Sequence, residues 1–149
     1  MTSFRIREPL DVYAPRHAVA VLGAELGFTS TGRAELAIVV SELCSNIVKY
    51  GICGSIELSA IHDPTCGGGV LIIARDMGPP FRNLAMALQD GCDDRGPIDP
   101  GELLRRGGLG IGLGAVVRLT HSLEVLSDPE GKRIQVVKYL VPPRGARSW

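Results

Sequence analysis

Leu36, Val40, Leu43 and Ile47 recur at spacings of 4, 3 and 4, so a helix over this stretch presents one unbroken apolar stripe. Interleaved with them, Glu42, Asn46 and Lys49 follow at spacings of 4 and 3 and project together from neighbouring turns on another side. A helix patterned this way cannot stand alone in water. It requires a second layer on which to bury the stripe.

That layer is legible downstream. Residues 55–61 alternate, with Ile56, Leu58 and Ala60 on one face. Val70–Ala74 is a continuous apolar run and reads as a central strand buried on both faces. Segments 122–126 and 133–140 flank Asp128-Pro129-Glu130-Gly131 and read as a C-terminal hairpin. Upstream, Ser3-Phe4-Arg5-Ile6 alternates like a short edge strand, and Pro15 suits a first helical turn. Ala18, Val21, Leu22 and Leu26 form an apolar stripe that Gly27 ends, and Ser30 or Thr31 is expected to cap the second helix, which runs to about Tyr50 and stops at Gly51.

Between Gly78 and Gly107 the chain is broken by Pro79, Pro80, Gly91, Gly96, Pro97, Pro100 and Gly101, with only 84–88 and 102–106 suited to short helices. A broken stretch this long inside a compact domain is usually a functional loop or lid. Helix returns from about Leu113 to Thr120. The order is strand, two helices, two strands, long loop, helix and hairpin. It favours an α+β two-layer sandwich, a mixed, mostly antiparallel sheet covered on one face by helices. One domain is expected over 1–142, with a loose tail at 143–149.

Composition narrows the partners. Sixteen basic and sixteen acidic residues cancel, which removes the strong electrostatic reason to expect nucleic acid. Hydrophobic residues at 45% and charged residues at 21% are the balance of a soluble globular chain. No apolar run reaches the length of a membrane span, and the N-terminus has no signal-like hydrophobic stretch. Cys44, Cys53, Cys66 and Cys92 form no CxxC pair and read as reduced thiols of a cytoplasmic protein, Cys44 as helix packing.

Three segments carry chemistry. Glycines at 108, 110, 112 and 114 let backbone amides approach an anion, with the following helix turning its positive end toward it. A Walker A loop is excluded because no Gly-Lys-Ser/Thr follows, and a dinucleotide fingerprint at Gly110-x-Gly112-x-x-Ala115 lacks the strand that should precede it. The plainer alternative is a flexible hinge before a helix. Asp76 closes the apolar run two residues before Gly78, where a carboxylate can accept from an exocyclic amine such as adenine's or simply start a turn. Glu42 and Asn46, taken alone, could be a solvated helix face.

Taken in order, Glu42-x-x-x-Asn46, Asp76-x-Gly78 and the glycine segment resemble the N, G1 and G2 boxes of the GHKL ATP-binding superfamily. That superfamily includes gyrase B subunits, Hsp90, MutL, histidine kinases and anti-sigma serine kinases. The resemblance extends from about Leu10 to Leu140. Val40-Ser41-Glu42-Leu43 with Asn46-Ile47-Val48, and the run 107–113 with Arg118-Leu119, look most like the small RsbT-type serine/threonine kinases of bacterial partner-switching pathways.

The resemblance implies a Bergerat-like fold with an ATP lid, and ATP and Mg²⁺ as cofactors. Asn46 would ligate the Mg²⁺, and Glu42 would activate a hydroxyl of a protein substrate. Asp76 would read the adenine amine, with Gly78 giving the base room. Lys49 would approach a phosphate, Gly108, Leu109, Gly110, Ile111, Gly112 and Leu113 would wrap the triphosphate, and Arg105 and Arg106 could meet a phosphate on lid closure. The implied function is phosphorylation of a STAS-domain antagonist, with a sigma factor or a PP2C-type phosphatase downstream. The alternative is a nucleotide-responsive anti-sigma or phosphatase-activating module with little or no transfer. A histidine-kinase catalytic domain fits less well, since no helix with a phospho-accepting His precedes the segment. One position departs from the G1 pattern: Pro80 stands where glycine is usual, fixing φ and removing an amide donor.

Overall fold

The computed structural model describes residues 1–50, 52–81, 84–88, 92–93, 96–97 and 112–143. Strand β1 (Thr2–Ile6) leads through a 3-10 turn (Pro9–Val12) to helices α1 (Tyr13–Leu26) and α2 (Ser30–Tyr50). Strands β2 (Gly54–Asp63) and β3 (Gly67–Asp76) follow, then the short α3 (Leu84–Ala87) and the two-residue strands β4 (Cys92–Asp93) and β5 (Gly96–Pro97). Helix α4 (Leu113–Leu119) and the hairpin β6 (Ser122–Asp128) and β7 (Gly131–Tyr139) complete the described chain.

The main sheet has five strands in the order β1-β2-β3-β7-β6, so β3 is central and β1 an edge, as the sequence predicts. Every pairing among the described residues is antiparallel, where a mixed sheet was allowed for. The α2 stripe of Leu36, Val40, Leu43 and Ile47 is buried against Ile56, Leu58, Val70, Ile72, Ala74, Ile134 and Val136. This is the α+β sandwich expected, with α2 packed on β2, β3 and α4.

Four local expectations are corrected. Val21 is 43% exposed, and α1 instead buries Pro15, Val19 and Gly23, with Ala18, Leu22 and Leu26 half-buried. The helices meet so closely at Gly23 that a Cβ there would lie 3.1 Å from Leu36 Cδ1, which rotates the buried side of α1 away from Val21. Thr29, not Ser30 or Thr31, caps α2: its Oγ1 accepts from the Gly32 N–H at 3.1 Å and its carbonyl from the Arg33 N–H at 2.9 Å. The link between the helices is this short because Gly27 closes α1 in the left-handed region and the Phe28 N–H returns to the Gly23 carbonyl at 2.9 Å.

Strand β3 is buried on one face only. Val70, Ile72 and Ala74 point into the core, whereas Leu71 and Ile73 are half-buried on the outer face, because helices cover a single side of the sheet. Leu71 is directly opposite the buried Val137, and such cross-strand apolar pairs shield each other without a second layer. Ala60 is exposed where β2 continues toward its exposed end.

The hairpin begins with a titratable anchor. The Tyr139 N–H donates to His121 Nδ1 at 2.9 Å, and the two rings stack with centroids 6.1 Å apart. Burial, and then the nearby Lys138 ammonium, hold the His121 pKa below its ordinary 6.5, opposed by Glu35. A lowered folded value means the neutral ring stabilises the fold fully above about pH 6.5, and that contribution is lost as pH falls through the folded pKa. His121→Gln, which keeps an acceptor but cannot titrate, is therefore expected to lose less Tm than the wild type between pH 7.5 and 5. Parallel Tm profiles would remove His121 from the acid response.

Cys44, Cys53 and Cys66 are free thiols. Burial pushes the Cys44 thiol up to about 12, consistent with its expected packing role. No described helix is long and apolar enough to cross a membrane.

Candidate functional site

Helix α2 places Glu42 and Asn46 one turn apart. Glu42 is only 3% exposed, so it is not a solvated helix residue. Asn46 is half-buried and Lys49 exposed. Next to Asn46, Ile47 packs directly on Gly54: a Cβ at Gly54 would overlap the Ile47 Cγ2 methyl and lie 3.3 Å from the Arg75 carbonyl oxygen. The C-terminal turns of α2 therefore lie beside the end of β3.

At that end stands Asp76, the last residue of β3 and buried. Its Oδ1 accepts the Gly78 N–H at 2.7 Å, so the turn expected of an Asp-x-Gly sequence is present. The same Oδ1 accepts from Lys132 Nζ at 2.9 Å, in an ion pair whose side chains are 4% and 2% exposed. Both bonds end on Oδ1, leaving Oδ2 outside them. An ionised carboxylate only accepts, which is the property an exocyclic amine needs.

Lys132 is the residue that sequence reasoning missed. A signal was present: on the alternating strand β7, Lys132 shares its inward parity with Ile134 and Val136, and a lysine there must find a partner inside. Its Nζ also donates to the Pro79 carbonyl at 3.1 Å and lies 5.5 Å from the Phe81 ring centroid, over the ring. Meanwhile the Met77 N–H donates to the Ile52 carbonyl at 2.7 Å. The chain leaving β3 is thus pinned from both sides as far as Phe81, and Pro80 sits exposed within it.

The turn that delivers Lys132 approaches just as closely. Gly131 has φ +146°, and a Cβ on it would overlap the Asp76 carbonyl oxygen and lie 2.9 Å from Met77 Cα.

Of the glycine segment, Gly108, Leu109, Gly110 and Ile111 lie outside the described residues, as do Arg105 and Arg106. Gly112 has φ +75° and precedes α4, a backbone state suited to glycine. Leu113 is buried in the core cluster, so it can offer a ligand its backbone but not its side chain.

Among the described residues, no group of three or more His, Cys, Asp or Glu could hold a metal ion. The amide oxygen of Asn46 fits a different kind of site. Mg²⁺ takes oxygen donors and keeps several waters, so one protein oxygen beside phosphates suffices.

Residues 7–138 match the family described as the histidine kinase-like ATPase domain. The chain is also similar to the serine/threonine-protein kinase RsbT of Bacillus subtilis (strain 168), 32% identical over 137 residues that cover 91% of this chain and 94% of the relative.

Proposed function

The chain belongs to the histidine kinase-like ATPase domain family, and from that premise we propose that it is an ATP-dependent protein serine/threonine kinase of a partner-switching system. The proposed substrate is a serine or threonine hydroxyl on a STAS-domain antagonist, with a sigma factor or a PP2C-type phosphatase as the downstream partner. The observation that carries the reading is the burial of Glu42, one turn before Asn46 on the helix packed against β3. Burial takes this carboxylate off the solvated face of the helix and holds it one turn from the residue proposed for the metal.

When bound, ATP supplies the phosphoryl group and Mg²⁺ the positive charge that offsets it. The residues of this chain do the rest. Asp76 accepts the exocyclic amine of the base, and Gly78 leaves space beside it. Asn46 would offer its amide oxygen to the metal, and the exposed Lys49 would meet a phosphate. By the family resemblance, backbone amides of the 108–113 segment would wrap the triphosphate. Glu42 would take the proton from the substrate hydroxyl as its oxygen bonds to the γ-phosphorus and the bond to the departing ADP breaks. Such transfer depends mainly on positioning and charge neutralisation, so one small domain can carry it.

Pro80 favours a second reading, a nucleotide-responsive binding module with little transfer, because its fixed φ restricts the loop beside the base. Calorimetric titration with ATP, with and without Mg²⁺, followed by transfer to a STAS-domain protein, separates the two. Saturable binding strengthened by Mg²⁺ and followed by phosphorylation is expected. Binding without transfer would support the module, and no binding at millimolar ATP would overturn both.

A further inference from the structure

Lys132 has no part in the proposed chemistry, yet its charge is buried against Asp76. An ammonium has three donors. Here Asp76 Oδ1 and the Pro79 carbonyl take two contacts, at 2.9 Å and 3.1 Å, and the Phe81 ring flanks the nitrogen at 5.5 Å from its centroid. The protein itself thus surrounds the charge with partners. The pair is also almost fully dry, at 2% and 4% side-chain exposure.

We propose that Lys132 is the positioning residue that makes this site selective for a purine carrying an exocyclic amine. It commits Oδ1 of Asp76 and the carbonyl of Pro79, so that Oδ2 is the carboxylate oxygen left for the base. The inference rests on the nucleotide reading above and deepens it.

The physical reason is which oxygen of Asp76 is engaged. The Lys132 Nζ and the Gly78 N–H both end on Oδ1, at 2.9 Å and 2.7 Å, and together hold the carboxyl group in one orientation. Oδ2, fixed in place this way, accepts from an amine and opposes the lone pairs of a carbonyl, whereas a carboxyl group free to turn discriminates less. Selectivity comes from the repulsion as much as from the hydrogen bond. Lys132 also fixes where the base can lie. Its bond to the Pro79 carbonyl and its place over Phe81 hold the chain after Asp76, and the fixed φ of Pro79 and Pro80 restricts that chain further.

The test compares ATP with inosine triphosphate, whose base carries a carbonyl in place of the 6-amine. Wild-type protein is expected to bind ATP about tenfold tighter or more, the scale of one hydrogen bond gained against one refused. In Lys132→Met the ratio is expected to collapse toward one. Should that variant fail to fold by circular dichroism, Asp76→Asn combined with Lys132→Met removes both charges together. A carboxamide can present either its oxygen or its amine, so the double variant should also lose the preference. A variant that folds, binds both nucleotides more weakly and keeps the wild-type ratio would overturn the inference while leaving the nucleotide site intact. Wild-type protein that binds both equally would overturn it too. Wild-type protein that binds neither would overturn the nucleotide reading and this inference with it.

Discussion

Replacing Glu42 with glutamine is expected to lower phosphoryl transfer by roughly 10²–10⁴-fold, the range that a positioned proton acceptor contributes. Mg²⁺-dependent ATP binding should stay close to that of the wild type. Glutamine is the informative substitution because residue 42 is only 3% exposed: it preserves the volume and a hydrogen-bonding oxygen while removing the basic one. Alanine would remove the base but also leave a cavity at a buried position, confounding chemistry with packing. The measurement is single-turnover transfer from labelled ATP, normalised to folded protein. If the burial of Glu42 serves the fold alone, Glu42→Gln will lower Tm and leave the normalised rate unchanged. That outcome would take the proposed base away from this residue.

Gly131→Ala is expected to destabilise the fold on the order of 3 kcal/mol, combining an unfavourable φ with a backbone overlap. The overlap matters more. The added methyl meets the Asp76 carbonyl and Met77 Cα, and backbone atoms cannot rotate away as a side-chain end can. Either the turn lifts off β3 or Asp76 shifts. Both routes disturb the ion pair between Asp76 and Lys132, because these two residues are register partners on adjoining strands. Urea unfolding should therefore show a lower midpoint at an unchanged slope, together with weaker ATP binding. A midpoint within experimental error of the wild type would mean that the hairpin turn yields without strain.

The two predictions lie on opposite sides of what the sequence makes readable. The α2 stripe is legible because Leu36, Val40, Leu43 and Ile47 report a local period, and the C-terminal hairpin because Pro129 and Gly131 punctuate it. Burial of one or both faces is less legible. Leu71 and Ile73 look like a strand buried twice, but apolar neighbours across one open sheet face produce the same run. Among Thr29, Ser30 and Thr31, three adjacent hydroxyls offer the same cap, and only the hydrogen bond to Gly32 selects the first. The site divides in the same way. Glu42, Asn46 and Asp76 stand out by spacing and by family resemblance. The inward parity of Lys132 is visible, but the identity of its partner is not, since nothing local links a strand start to a strand end in a distant segment.

Asp76 and Lys132 are separated by 56 residues, and their meeting closes a loop that contains α3, α4 and β6. Closing so long a loop costs chain entropy before any contact within the site repays it. The charged floor beneath the proposed base is therefore not a motif carried by one segment of the chain. It is an outcome of completed topology: a fragment ending before β7 would hold every G1 residue and still lack the site, and any ligand seated there would stabilise the domain as a whole.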